Sequence, residues 1–288
     1  MPFVTLREVL QNAQQEGYAV GAFNANNMEI VKAIMEAAVE ERSPVILQAS
    51  QGALRYAGLN YITAMVRAAA EEADVPVVLH LDHGTSFEQT MLCLRYGFSS
   101  VMFDGSRYPL EENIARTAKV AEVAHAMGAT VEGELGKIGG TEDDISVDER
   151  EAFFTDPAEA EQFVRETGID ALAVAIGTAH GPYKGEPVLD FERLAAIKKV
   201  VPVPLVLHGA SGVPAESIRK AIELGVCKIN IDTELRQAFV RGVQRVIREH
   251  PDEIDPRKIL GPAKEAMKAV VKEKMCLFGC AGRVGKSR

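Results

Sequence analysis

The stretch Ser100–Gly133, SVMFDGSRYPLEENIARTAKVAEVAHAMGATVEG, carries one full turn of the pattern that decides the architecture. Ser100 to Phe103 is a short apolar run with the length of a buried strand. After Asp104 and a turn, Ile114 to Met127 has apolar residues at helical spacing, and Gly128 closes it. Thr130 to Gly133 then begins the next β-branched run. Strand, helix, strand within roughly 30 residues is the βαβ unit of a parallel sheet.

The same alternation extends in both directions. Strand-like runs stand at Ala19–Phe23, Val45–Ala49, Val77–Leu81, Ala171–Ile176, Pro204–Leu207 and Val226–Ile229. Between them lie helical patterns such as Met28–Arg42, Ile62–Ala73, Ala158–Thr167 and Ser217–Leu224. Eight strand-helix units predict an α/β fold, a (β/α)8 TIM barrel, as a single domain over residues 1–288 with extra C-terminal helices. An open doubly wound sheet is the alternative on the pattern alone.

Composition agrees and excludes several classes. With 47% hydrophobic and 25% charged residues, the chain has the makings of a large core, and disorder is ruled out. Lys and Arg total 32 against 41 Asp and Glu, with no basic stripe interleaved with aromatics, so nucleic acid is not an expected partner. Even the longest apolar runs, such as Ala171–Gly177, are short, and Met1–Gln15 lacks the layout of a signal peptide. The expectation is a cytoplasmic protein with no membrane partner. The four cysteines are scattered, and Cys276 and Cys280 have no second ligand pair to complete a structural zinc site. The tail Gly279–Ser287 departs from a P-loop at Cys280, and Gly209–Val213 departs from a serine-nucleophile elbow at Val213.

In such a barrel, function gathers where the strands end. Those ends are polar: Asn24, Ser50, Asp82 with His83, Asp104, Glu132 with Glu134, His180, His208 and Asn230. Asn24 or Ser50 alone reads best as a helix cap. His83, His180 and His208, at the ends of strands 3, 6 and 7, are another matter, because three imidazoles with an open fourth position describe catalytic zinc. The competing reading is three hydrogen-bonded core or loop histidines. His80, His125 and His250 read as structural. Neighbours on a strand face opposite ways, so Asp82 shares a site with His83 only if the chain bends there. It is then a general acid or base; otherwise it is a cap, and both readings stand. His208–Gly212 and Asn230–Thr233 each precede a helix, where backbone N–H groups and the Ser211 and Thr233 hydroxyls could cradle a phosphate. A plain turn into a helix is the bland alternative.

Taken together, Tyr18–Asn24 (YAVGAFN), His80–Gly84 (HLDHG), Val131–Gly136 (VEGELG), Gly139–Asp144 (GGTEDD), Gly177–Lys184 (GTAHGPYK) and Leu207–Gly212 (LHGASG) resemble the class II, metal-dependent fructose-bisphosphate aldolases, including the closely similar tagatose-bisphosphate aldolases. The resemblance runs from Thr5 through the helix at Ala263. It implies reversible cleavage of fructose 1,6-bisphosphate, with one zinc ion held by His83, His180 and His208 as electron sink. Asp82 would move the C4 hydroxyl proton, and Glu142 would exchange a proton with the dihydroxyacetone-phosphate carbon. Gly181, Lys184, Gly209, Ser211, Asn230 and Thr233 would surround the ketose phosphate, with Ala210 and Ile231 in the same stretches. Asp232, Asn24 and Ser50 would approach the sugar. Glu134 matches a second-metal or metal-exchange position, a further or monovalent cation being left open, and Asp104 would orient a ligand histidine or cap its loop. Arg257 is the candidate for the far phosphate across a dimer interface, against a plain surface arginine.

Further expectations follow. A homodimer or homotetramer would cover the apolar stripe on Ala263–Val271. Gly136–Glu149 and Thr178–Pro187 read as mobile loops that close over the site. Among rivals, a barrel zinc hydrolase would show H-x-H on the first strand, where Phe23-Asn24 stand, and a sugar-phosphate sensor would not need Asp82 and Glu142. A lysine-dependent aldolase would use Lys228. Fructose is favoured over tagatose because of Asp232 and the stretch Gly181–Pro187.

Overall fold

A computed structural model describes residues 3–142, 145–147, 153–183 and 185–285, with backbone alone for 141, 142 and 145–147. In chain order the strands are β1 (Val20–Asn24), β2 (Val45–Ser50), β3 (Val77–Gly84), β4 (Ser100–Phe103), β5 (Thr130–Leu135), β6 (Gly139–Glu142), β7 (Ile145–Val147), β8 (Ala171–Val174), β9 (Ala179–His180), β10 (Leu205–Leu207) and β11 (Val226–Ile231). Eight of them close a parallel barrel in the order β1-β11-β10-β8-β5-β4-β3-β2, as expected from the alternation. Every barrel-strand residue is buried, which is why these runs are nearly continuous apolar sequence rather than alternating.

Several strands outrun the apolar runs that foretold them. Asn24, Ser50, Glu134 and Asn230 belong to the ladder, because parallel pairing uses the backbone whatever the side chain. β3 runs on to Gly84, but its register against β4 slips between Leu81 and Gly84, and His83 takes the left-handed conformation at φ 48°. This bulge, not a strand end, supplies the bend that Asp82 and His83 need to share a site.

One mouth of the barrel is closed. The helix Leu6–Glu16 starts with a capping box between Thr5 and Glu8. Leu6 N–H donates to Thr130 Oγ1, and Val4 N–H donates to Val77 O, so the segment lies against the first residues of β5 and β3. Chemistry is left to the mouth at the strand C-termini.

One expectation is corrected here. The apolar stripe of the last helix, Pro256–Phe278, is covered by its own chain: Ala263, Met267 and Val271 are 0%, 1% and 0% exposed, so this stripe gives no reason for a second copy. Within the stretches read as mobile loops, Gly139–Glu142, Ile145–Val147 and Ala179–His180 form short strands. β6 pairs antiparallel with β7 and parallel with β9, matching Gly139 to Ala179 and Gly140 to His180. Gly140 has φ 97°, and a Cβ there would stand 2.2 Å from His180 O, so only glycine permits this approach. Among the described residues no helix is long and apolar enough to cross a membrane.

Candidate metal centre and anion cleft

The bulge in β3 turns His83 toward the barrel axis. Its Nδ1 lies 2.9 Å from Asp104 Oδ2 and 3.8 Å from Glu134 Oε2. Burial would raise the Asp104 carboxyl, but the bond to His83 and those from the Ser106 N–H and hydroxyl carry it well below the usual carboxylate range. Asp104 thus bonds both its own loop and the His83 ring. An ionised carboxylate only accepts, so His83 Nδ1 carries the proton and Nε2 presents a lone pair.

The same logic holds on β10, at whose end His208 sits fully buried. Its Nε2 is 2.8 Å from Glu132 Oε1. Burial works against an ionised Glu132, yet the Lys228 ammonium, with Nζ 2.9 Å from Oε2, and the His208 bond hold this carboxyl well below its ordinary value. His208 is itself lowered, chiefly by burial. Its Nε2 is then the donor, and its Nδ1 lone pair points at His83 Nε2, 3.0 Å away.

Two imidazole lone pairs facing each other repel unless a cation joins them. Two nitrogens at 2.0–2.1 Å from a tetrahedral zinc would stand about 3.3 Å apart, close to this spacing. The third imidazole, His180 on β9, has its ring centroid 5.1 Å from that of His83 and 6.0 Å from that of His208. One ligand atom from each of the three lies within 4.8 Å of the others, and His83, Asp104 and Glu134 form a second such group. Glu134 is buried with Oε2 lacking a hydrogen-bond partner among the described residues, and burial, then Asp104, push its carboxyl well above the usual range. A cation nearby would reverse that. The donor set thus fits a metal.

Beside the histidines, Asp82 is fully buried and held by three amides. Oδ2 accepts from Asn24 Nδ2 at 2.9 Å and Gln48 Nε2 at 3.1 Å, and Oδ1 accepts from Asn230 Nδ2 at 3.3 Å. Asn24 is no cap here; Asn27 caps the following helix, while Ser50 does cap its own, accepting from Ala53 N–H.

Above this floor opens a cleft of about 310 Å³. His180, Gly181 and Gly209 line one part, Ser211, Asn230, Asp232 and Thr233 another. A Cβ at Gly209 would lie 2.5 Å from Ala179 O, so the β9 segment runs close over this turn. Tyr183 ties the two together, its hydroxyl accepting from Ala179 N–H at 2.8 Å and donating to Gly209 O at 2.7 Å. Glu234 accepts from Gly212 N–H at 2.6 Å and anchors the turn from the other side. Ala210 and Ile231 have buried side chains, leaving only backbone to offer a ligand. Arg257 has a 90% exposed side chain paired with Asp255 and is not among the cleft-lining residues. Lys184 and the Glu142 side chain lie outside the described residues, although the Glu142 backbone ends β6.

Several residues here escaped the sequence reading. Arg236 and Gln237 line the cleft, and Arg236 grips both Asp232 oxygens, at 2.8 and 2.6 Å. The i,i+4 spacing of acid and arginine was the available signal. Gln48 had none, and Tyr183 was visible only as part of the stretch Gly177–Lys184. Of the histidines read as structural, His80 lies with Nδ1 2.8 Å from Ser100 Oγ, and His125 pairs with Asp170.

The family model for fructose-bisphosphate aldolase class-II matches residues 4–283. A fructose-bisphosphate aldolase of Thermus caldophilus is 52% identical, over 97% of this chain and 99% of its own. One from Geobacillus stearothermophilus is 48% identical, over 99% of this chain and 100% of its own. Among solved structures, the YdjI aldolase from Escherichia coli K12 superposes with a TM-score of 0.85 at 35% identity, covering 98% of this chain and 100% of that one.

Proposed function

The chain belongs to the class II fructose-bisphosphate aldolases, and from that premise we propose that it catalyses reversible cleavage of fructose 1,6-bisphosphate to dihydroxyacetone phosphate and glyceraldehyde 3-phosphate, with zinc held by His83, His180 and His208. The observation that carries this reading is the convergence of three imidazoles beside a buried, amide-held Asp82 on the floor of the cleft. When bound, the metal supplies Lewis-acid polarisation of the ketose carbonyl.

The protein's own groups do the rest. The N–H groups around Gly209–Ser211 and the start of the helix Thr233–Glu249 bind the ketose phosphate without needing net positive charge. Asp82 takes the C4 hydroxyl proton as the C3–C4 bond breaks, and the aldehyde forms at C4. In condensation the same carboxyl returns the proton. Asn24, Gln48 and Asn230 aim its oxygens throughout. Glu142 delivers a proton to C3 of the released triose, and Lys184 joins the phosphate set. Asp104 and Glu132 fix the ligand histidines, and Glu134 is assigned to a second or exchanging cation.

Lys228 is not a Schiff-base nucleophile in this scheme, since its ammonium is fully buried between Glu132 and Asn230. A homodimer or tetramer, with Arg257 reaching a partner's far phosphate, belongs to the proposal. Its support is the exposed pair Val240 and Ile247, one face of the helix Thr233–Glu249. A monomer by light scattering at micromolar concentration would remove the assembly and the shared arginine.

The experiment is a coupled assay of triose-phosphate release, with a chelator and then with zinc restored. Activity lost and regained is expected; full activity in the stripped protein would overturn the metal reading. Borohydride with substrate should trap nothing. Run in parallel on tagatose 1,6-bisphosphate, the assay should favour fructose by roughly 100-fold in kcat/KM. A reversed ratio would reassign the substrate.

A further inference from the structure

One buried charge takes no part in the reaction so far described. Lys228 lies in β11 with its side chain wholly buried. Its Nζ is 2.9 Å from Glu132 Oε2 and donates to Asn230 Oδ1 at 2.8 Å. Each partner leads to a different part of the site. Glu132 turns its other oxygen to His208 Nε2, at 2.8 Å. Asn230 turns its Nδ2 to Asp82 Oδ1 at 3.3 Å and toward the His208 ring, 3.3 Å from Nδ1 and 3.4 Å from Nε2.

We propose that Lys228 is the positioning residue of this centre: through Glu132 it sets which nitrogen of His208 faces the metal, and through Asn230 it sets which end of the amide faces Asp82. A carboxylate held against an ammonium can only accept, so His208 must give its Nε2 proton to Glu132 and keep Nδ1 bare for the cation. The two ends of a primary amide are nearly the same size, and hydrogen bonds alone choose between them. With an ammonium on one side, Asn230 must present oxygen there and NH2 to Asp82. Remove the ammonium and only Asp82 and the His208 ring still hold the amide, so the flipped orientation, which sets its oxygen against the Asp82 carboxylate, loses one of its two penalties and the amide is less firmly fixed. His80 also faces Glu132, its Nε2 3.5 Å from Oε2 and its Nδ1 2.8 Å from Ser100 Oγ.

The inference rests on the three imidazoles being metal ligands, and its test separates the two. Lys228→Met, Glu132→Gln and the double variant are prepared as full chains, stripped, and reloaded with zinc in competition with a chromophoric chelator. Each single variant should bind zinc roughly 10- to 100-fold more weakly, the usual cost of losing a partner behind a ligand. The double should be no weaker than the worse single, because both act along one path. At saturating zinc, Lys228→Met should still lose kcat with a smaller change in KM, reporting the Asn230 branch. A lysine that only supports the fold would lower the melting temperature of stripped protein and leave zinc affinity within about twofold, and that result overturns the proposal. If Lys228→Met does not fold, the double variant, which leaves no lone charge buried, is compared with Glu132→Gln at saturating zinc: a further loss of kcat supports the proposal through Asn230, whereas equal kcat, or wild-type zinc affinity in the double, overturns it. Wild-type protein that takes up no zinc would remove the ligand reading and this inference together.

Discussion

The two halves of the candidate metal centre are held by different physics. His83 in β3 and His208 just past the end of β10 are 3% and 0% exposed, each backed by a buried carboxylate. His180 stands on a two-residue strand, and its place depends on backbone pairing with Gly140 and on the Tyr183 bridge to Gly209. In the interior, position follows from packing, and what must be chosen is a proton: which nitrogen carries it. At the rim protonation is secondary, and what must be secured is the position of the backbone itself. Substitutions in the two regions should therefore fail differently, the first through tautomers and charge, the second through sterics.

The largest effect should come from the interior. Asp82→Ala leaves the imidazoles in place, so zinc content should persist while kcat falls by roughly 100-fold or more, as for a lost general acid-base group. Zinc lost along with activity would make Asp82 a ligand and erase the distinction between the two roles.

Next comes a rim change. Gly140→Ala sets a Cβ 2.2 Å from His180 O at a positive φ, a strain of about 1–3 kcal/mol, so zinc affinity should fall by roughly 10- to 100-fold. Melting of the stripped protein should hardly move, because β6 and β9 stand outside the barrel. A large drop in melting temperature with unchanged affinity would show that the rim strands support the fold instead.

The interior should also answer to pH. Burial lowers both His80 and His208 from the ordinary imidazole value, helped at His80 by Lys228. A depressed pKa contributes stability that is complete above the unfolded value near 6.5 and is lost as pH falls toward the folded value. Each group adds a slope of up to about 1.4 kcal/mol per pH unit in that window. Thermal unfolding of stripped protein between pH 7.5 and 5.5 should show the decline; a flat profile would mean that these imidazoles take up protons without unfolding.

The smallest change tests the latch. Tyr183→Phe leaves Ala179 N–H and Gly209 O without their shared hydroxyl, about 1 kcal/mol for each bond. KM for the sugar phosphate should rise by roughly 5- to 10-fold with kcat nearly kept, since Asp82 is not touched. A fall in kcat at unchanged KM would place Tyr183 with the interior group.

The alternation of apolar strands and amphipathic helices was plain along the chain, because a strand covered on both faces must be apolar and a covering helix must show a 3.6-residue period. Both are local properties. The order of motifs such as HLDHG and LHGASG gave the family for a like reason, since each is a contiguous piece of backbone at one strand end. The buried charges were visible as oddities: Glu132 and Lys228 interrupt strands that should be apolar, and a charge so placed calls for a partner. Which partner could not be read. Glu132 meets His208, Lys228 meets Glu132, and Asp82 meets Asn230 only because the sheet closes and brings distant strand ends around one axis. The left-handed turn at His83 and the pairing of Gly140 with His180 arise the same way. Local sequence sets periodicity and turn chemistry, whereas contacts across the barrel depend on closure and register, and those are fixed only by the packing of all eight strands at once.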